Sequence, residues 1–172
     1  LVPPDVAELL TDTGRATVLP MILHQANCLR RWAQLPRIVQ TGEPAVREPS
    51  IRGEAADQAA FIGAMHTVSG PLADTVVADI QPIRFDHLLD IGGGSGTWTL
   101  AFLQHAPMST ATIFDLPDVV PMAAKRLEAA GMTDRVTLVP GDFYTDELPT
   151  GADLALLSAI CHQNAREQNR EL

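Results

Sequence analysis

Four polar residues stand at or just beyond the ends of short apolar runs: Asp90, Asp115, Asp142 and His162. Between the first two lies a glycine-dense turn, Gly92-Gly93-Gly94-Ser95-Gly96. Glycines in that density let a backbone come close to a ligand, the arrangement used where a strand passes through a turn into a helix. Carboxylates accept hydrogen bonds from hydroxyl and amino groups, and an imidazole with a pKa near ~6.5 can take up a proton at neutral pH. Residue types and spacing therefore describe a site that holds a polar, nucleoside-like ligand and abstracts a proton beside it.

The glycine pattern narrows the ligand. It reads Gly92-x-Gly94-x-Gly96, with Asp90 two residues ahead of the first glycine. A dinucleotide turn prefers G-x-G-x-x-G, because its pyrophosphate needs a helix N-terminus nearby. Here the third glycine comes one residue early and a carboxylate sits at the strand end. A carboxylate repels a pyrophosphate but attracts the ammonium and sulfonium of S-adenosylmethionine. Asp115 lies 23 residues after Gly92 and can accept from two ribose hydroxyls. It can equally cap the helix that starts near Leu116-Pro117. Asp142, in Gly141-Asp142-Phe143, can accept from an adenine amino group while Phe143 packs on the ring, or it can serve as an ordinary turn residue. His162 is a general-base candidate or a hydrogen-bonded structural histidine. Cys161 beside it lacks a third group to orient a dyad and is taken as structural.

These residues require particular elements behind them. Strands are expected at Leu88–Ile91, Ala111–Phe114, Val136–Val139 and Leu154–Ser158, and helices at Trp98–Gln104 and Val119–Ala130, with Gly131 as a left-handed cap. Alternation of this kind argues for an α/β fold with a parallel sheet, whose ligands lie beyond the carboxyl ends of the strands. Asp115, Asp142 and His162 should thus converge on the glycine loop. Four strands leave such a sheet unfinished, so the domain is expected to be incomplete at the C-terminus; a polar helix is expected from Gln163 to Leu172. The N-terminal half reads as helical. Pro20 suits a helix start, and Met21, Ile22, Leu29, Trp32, Leu35, Ile38 and Val39 recur at helical spacing up to a stop at Thr41-Gly42. Glu54 to Ile80 reads as one or two further helices, with a possible break at Gly70-Pro71.

Composition excludes several classes. The 172 residues carry 12 basic and 21 acidic side chains, a net charge of −9, so nucleic acid and anionic membranes are poor partners. Hydrophobic residues make up 46%, enough for a packed core, yet no apolar run reaches the roughly 18 residues of a membrane span. Cys28 and Cys161 fit neither a disulfide framework nor a metal site, and the histidines supply no ligand set with them, so no metal and a cytoplasmic location are expected. A chain opening on Leu1 suggests a piece of a longer protein.

Leu88-Leu89-Asp90-Ile91-Gly92-Gly93-Gly94-Ser95-Gly96, Phe114-Asp115-Leu116-Pro117, Gly141-Asp142-Phe143 and Ile160-Cys161-His162 stand in the order and spacing of one family. The chain resembles S-adenosylmethionine-dependent O-methyltransferases of the caffeic acid and hydroxyindole type, over roughly Arg52 to Leu172. The resemblance implies a Rossmann-like class I methyltransferase domain at residues 85–172, truncated, preceded at 1–84 by a helical connector and pocket-lining helices left from a dimerisation region. It implies that Asp90, Gly92, Gly93, Gly94 and Gly96 hold the methionine part of the cofactor. Asp115 with Leu116 would meet the ribose and Asp142 with Phe143 the adenine, and Ser158 and Ser69 would complete the cofactor contacts. Phe61 and Met65 would line the acceptor pocket. His162 would deprotonate the hydroxyl of a small-molecule acceptor, leaving S-adenosylhomocysteine as the second product. The full-length protein would be a homodimer.

Two departures from the family stand out. His162-Gln163-Asn164 replaces the frequent His-Asp-Trp, and Ser158 replaces a lysine common in plant members. The acidic residues that flank the base in the family lie outside this sequence, which leaves His162 without an orienting partner. Two rival readings use the same turn: an NAD(P)-dependent oxidoreductase, and a cofactor-binding fragment without activity of its own.

Overall fold

A computed structural model describes residues 2–14 and 16–172; Leu1 and Arg15 lie outside the described residues. The chain forms two compact units, one up to Thr67 and one over Val68–Leu172.

The first unit is helical. A helix that the mixed composition of this stretch did not suggest, α1 (Pro4–Leu10), opens with Pro4 in its first turn and Asp5 beside it, where a missing N–H and a negative charge are both favourable. The apolar periodicity from Met21 to Val39 belongs to two helices rather than one, α2 (Leu19–Trp32) and α3 (Leu35–Thr41). Pro36 explains the division, since it has no N–H to continue the ladder and its ring excludes the carbonyl four residues earlier. Gly42 closes α3 in the left-handed region, φ 71°, its N–H bonded to the Ile38 carbonyl at 2.8 Å. The long helix α4 (Glu54–Asp79) is continuous despite Pro71. Its later residues Ala73 and Val77 are fully buried in the same cluster as Phe85, Leu88 and Ile113, so this part of α4 belongs to the core of the second unit.

The second unit is an α/β layer structure. It contains β1 (His87–Ile91), α5 (Thr97–His105), β2 (Thr110–Asp115), α6 (Val120–Ala129), β3 (Val136–Pro140), β4 (Leu154–Leu156) and a last short helix, α7 (Gln168–Glu171). The four strands pair in parallel in the order β3-β2-β1-β4, with Asp90 opposite Ile113 on one side and Leu156 on the other. Alternation along β1 sends Leu88 into the cluster with Ala101, Phe102 and Leu127, and Leu89 and Ile91 into a second cluster with Phe114. Burial on both faces is why the two central strands, β1 and β2, read as largely apolar runs.

Two expectations near the end of the chain need correction. β4 stops at Leu156 rather than Ser158: its pairing with β1 ends at Asp90 opposite Leu156, and β1 itself leaves extended backbone at Gly92, φ 69°. The polar stretch after Gln163 is not one helix. A single 3-10 turn, Cys161–Gln163, is followed by extended backbone at Asn164, and only Gln168–Glu171 is helical.

Side chains lock the beginnings of all four strands. The Asp153 carboxylate accepts from the Asp86 and His87 N–H groups at 2.9 and 2.8 Å, which joins β4 to β1 and holds that carboxyl below its usual range. The buried Ser109 hydroxyl donates to the Phe85 carbonyl at 2.5 Å, joining β2 to β1. Arg135, just before β3, donates to the carbonyls of Ser109 at 2.7 Å, Ala106 at 2.6 Å and Leu103 at 3.3 Å. Leu103 and Ala106 belong to the end of α5, where carbonyls lack the next turn's N–H groups, and Ser109 leads into β2. Replacing Arg135 by Met leaves them without a charged donor. The expected loss is about 2 kcal/mol of unfolding free energy, read as a lower urea midpoint at unchanged slope.

Candidate functional site

At the carboxyl ends of the strands the glycine turn wraps around two carboxylates. Gly92 sits at φ 69°, and a Cβ there would meet Ile160 Cδ1 at 2.6 Å and Phe143 Cε1 at 3.5 Å. A Cβ at Gly93 would stand 2.9 Å from Asp90 Cγ and 3.0 Å from Ile113 Cγ2. Glycine is needed at the first position for backbone conformation and close approach, and at the second for close approach.

Asp90 points to the α5 side of the sheet and is fully buried. Thr99, also fully buried, donates its hydroxyl to Asp90 Oδ2 at 2.7 Å. The N-cap position of α5 is Gly96, which offers no side chain, so a carboxylate from β1 stands in at the first turn of the helix. Burial pushes the Asp90 carboxyl up to about 6; the Thr99 hydroxyl opposes that shift, and the charge of Asp115 adds to it.

Asp115 ends β2 and ties the loop from the other side. Its Oδ2 accepts the Gly94 N–H at 2.7 Å and its Oδ1 the Leu116 N–H at 2.7 Å. Burial raises this carboxyl too, while the two backbone bonds hold it down. Each oxygen keeps a free lone pair, so the carboxylate can still accept from a ligand hydroxyl. The helix-cap role open to Asp115 is not taken up, since α6 begins at Val120 with Val119 in the cap position and no capping side chain; the bond to Gly94, across 21 residues, had no local signal in the sequence.

The remaining candidates divide into those that join this centre and those that do not. Phe143 is half-buried against Leu89, Ile91 and Phe114, with its ring over Gly92. Ile160 meets the same glycine from β4's side; it was legible only as the residue opening the Ile160-Cys161-His162 motif. Asp142 caps its own turn, its Oδ1 accepting the Tyr144 N–H at 2.9 Å and its N–H going to Asp146 Oδ2 at 2.8 Å. His162 lies exposed in the 3-10 turn two residues beyond Ile160. Among the described residues, neither Asp142 nor His162 hydrogen-bonds to the glycine loop, so the expected convergence is met by Asp115 directly and by the other two only through their neighbours. Ser158 is half-buried beyond β4, Ser69 is half-buried on α4, and Leu116 is exposed. Phe61 and Met65 lie in the first unit; Phe61 is tilted against the His24 ring at 5.2 Å. Among the described residues no group of three or more His, Cys, Asp or Glu is placed to hold a metal ion, and no helix is long and apolar enough to cross a membrane.

The burial of Asp90 has a consequence in pH. Its folded-state pKa lies above the unfolded value of 3.8, so the stability that its protonated form contributes is complete below about 3.8 and is lost as pH rises through about 6. Asp90→Asn keeps an acceptor for Thr99 and cannot ionise. Relative to wild type, the variant should gain on the order of 3 kcal/mol between about pH 4 and pH 7, measured by urea unfolding at both ends of that range.

Residues 48–172 match the O-methyltransferase domain family. The chain is 31% identical over 145 residues to 3-hydroxy-5-methyl-1-naphthoate 3-O-methyltransferase of Streptomyces sahachiroi, covering 82% of this chain and 42% of that protein. It is 32% identical over 167 residues to phenazine O-methyltransferase PhzM of Lysobacter antibioticus, covering 92% and 48%. The crystal structure of the O-methyltransferase NcsB1 from neocarzinostatin biosynthesis, in complex with S-adenosylmethionine and 2-hydroxy-5-methyl naphthoic acid, superposes with a TM-score of 0.74 at 25% identity, covering 94% of this chain and 52% of that one. The chain thus spans less than half the length of these two curated relatives. A four-stranded parallel sheet, a glycine loop closed by two strand-end carboxylates and a match over residues 48–172 agree: the chain belongs to the O-methyltransferase domain family.

Proposed function

We propose that this chain carries the cofactor-binding part of an S-adenosylmethionine-dependent O-methyltransferase that acts on an aromatic hydroxyl of a small molecule. One observation carries the choice of cofactor. The Gly94 N–H, a donor of the kind a dinucleotide turn aims at a pyrophosphate, is already taken by the Asp115 carboxylate, and a second carboxylate, Asp90, is buried behind the loop. A loop that carries its own negative charge suits a cationic ligand and repels a phosphate. That argues against the oxidoreductase reading.

When bound, S-adenosylmethionine would supply a methyl group on a sulfonium leaving group. The residues of this chain do the rest. Asp115 would hold ribose hydroxyls with its free lone pairs, Phe143 would pack against the adenine with Asp142 beside it, and the glycine loop would receive the methionine part. Ser158 and Ser69 are further contacts in this reading, and Phe61 and Met65 belong to the acceptor side. His162 takes the proton from the acceptor hydroxyl onto its imidazole. A phenol near pKa ~10 is almost wholly protonated at neutral pH, so a positioned base contributes about 10²–10⁴-fold. Alignment of oxygen, methyl and sulfur supplies much of the remaining acceleration. The relative named for a hydroxynaphthoate, and the hydroxynaphthoic acid bound to NcsB1, support a fused aromatic acceptor. The same reading places the full-length protein in the cytoplasm as a homodimer. The exposed Leu29, Trp32 and Val39 of the first unit offer apolar surface for such an interface.

Calorimetry with S-adenosylhomocysteine and with NAD separates the two cofactor classes. Binding of the first with no detectable binding of the second is expected, and the opposite preference overturns the proposal. In the full-length protein, His162→Ala should keep the affinity for S-adenosylhomocysteine within about twofold while turnover falls about 10²–10⁴-fold. Wild-type turnover in that variant would remove His162 from the mechanism.

A further inference from the structure

We propose that Tyr144, Asn164 and Asn169 form a positioning chain that sets the backbone at His162 relative to the loop after β3. The inference rests on the reading of His162 as the general base. The Tyr144 hydroxyl donates to Asn164 Oδ1. Asn164 Nδ2 donates to Asn169 Oδ1 at 2.9 Å, and Asn169 Nδ2 donates to the Cys161 carbonyl at 2.8 Å. That carbonyl belongs to the peptide bond whose nitrogen is that of His162, and it also accepts the Asn164 N–H at 3.4 Å. Every link donates in one direction, from the ring hydroxyl to the carbonyl, the arrangement in which successive hydrogen bonds polarise one another. The amides of Asn164 and Asn169 carry no titrating proton, so the chain conveys position rather than charge.

Core packing alone does not place this histidine. From Leu157 to Leu172 only Ile160 is buried. Ile160 pegs the segment against Gly92, two residues before His162, and Asn164 pegs it to Tyr144, two residues after. Tyr144 follows Phe143 directly, and the two rings stand 4.5 Å apart. His162 is therefore held between two fixed points, one on the glycine loop and one on the loop after β3. Ala165 reinforces the far side, its N–H bonded to Gln168 Oε1 at 2.8 Å. Asn164 is one of the two departures from the family pattern noted in the sequence, and here it is the middle link. Small displacements of a reacting group carry large rate penalties, so a chain that fixes a few tenths of an ångström is visible in turnover before it is visible in binding.

The test uses the full-length protein, S-adenosylhomocysteine as the probe of affinity, and 2-hydroxy-5-methyl naphthoic acid, or another hydroxylated aromatic acid that wild type methylates, as acceptor. Tyr144→Phe and Asn169→Ala each remove one link from a half-buried or exposed surface, which leaves the core untouched. Each should lower kcat about tenfold with KM and S-adenosylhomocysteine affinity within about twofold, and the double variant should be no slower than the slower single one. The imidazole proton signals of His162 in NMR spectra should shift in both variants with no acceptor present. Unchanged His162 signals with wild-type kcat overturn the proposal. So do effects that multiply in the double variant, or a parallel loss of affinity, because both mean separate structural roles. His162→Ala, run alongside, keeps the two readings apart. If it turns over like wild type, the base assignment fails, and the NMR shifts alone then decide whether the chain positions this residue.

Discussion

Taking the Asp90 carboxyl out of water between β1 and α5 obliges Thr99 to supply its hydrogen bonds, and that obligation fixes where α5 begins. Gly96 can then start the helix without a capping side chain. Gly93 must be glycine because the carboxyl lies against it. Asp115, the carboxylate whose charge acts on Asp90, takes the Gly94 and Leu116 N–H groups for itself. A loop built in this way has two negative groups behind its backbone and little tolerance for a third. Its fitness for a cation follows from the burial of one side chain in a strand.

Much of this was legible in the sequence, for stated reasons. The central strands β1 and β2 were readable because burial on both faces produces largely apolar runs, and the order of strand and helix then dictates a parallel sheet. The strand-end positions of Asp115 and Asp142 followed from the same rule. What stayed hidden was contact through space. Nothing local marks the bond from Asp115 to Gly94, the bond from Thr99 to Asp90, or Ile160 against Gly92. Local reading also erred where one residue overrides a pattern. Pro36 divides a continuous apolar periodicity into α2 and α3, whereas Pro71, within a helix carrying buried residues on both sides of it, does not divide α4. The segment after β4 has too few apolar residues for periodicity to report anything, and its form is set by the side-chain amides of Asn164, Gln168 and Asn169.

The amide chain also changes what kind of histidine His162 is. It stands on an exposed turn rather than in a packed wall, and the groups that locate it are neutral. The amides of that chain carry no charge, so what it contributes to the segment is geometry.

The side-chain clamps at the beginnings of the strands have a different reach. Asp153, Ser109 and Arg135 join β4 to β1, β1 to β2 and β2 to β3 at the end of the sheet away from the glycine loop. The two ends of each strand therefore answer to different demands, one to endurance and one to recognition. Changes in the loops at the carboxyl ends of the strands are cushioned from these foundations, so a scaffold of this kind can vary at one rim while the opposite rim keeps the chain folded.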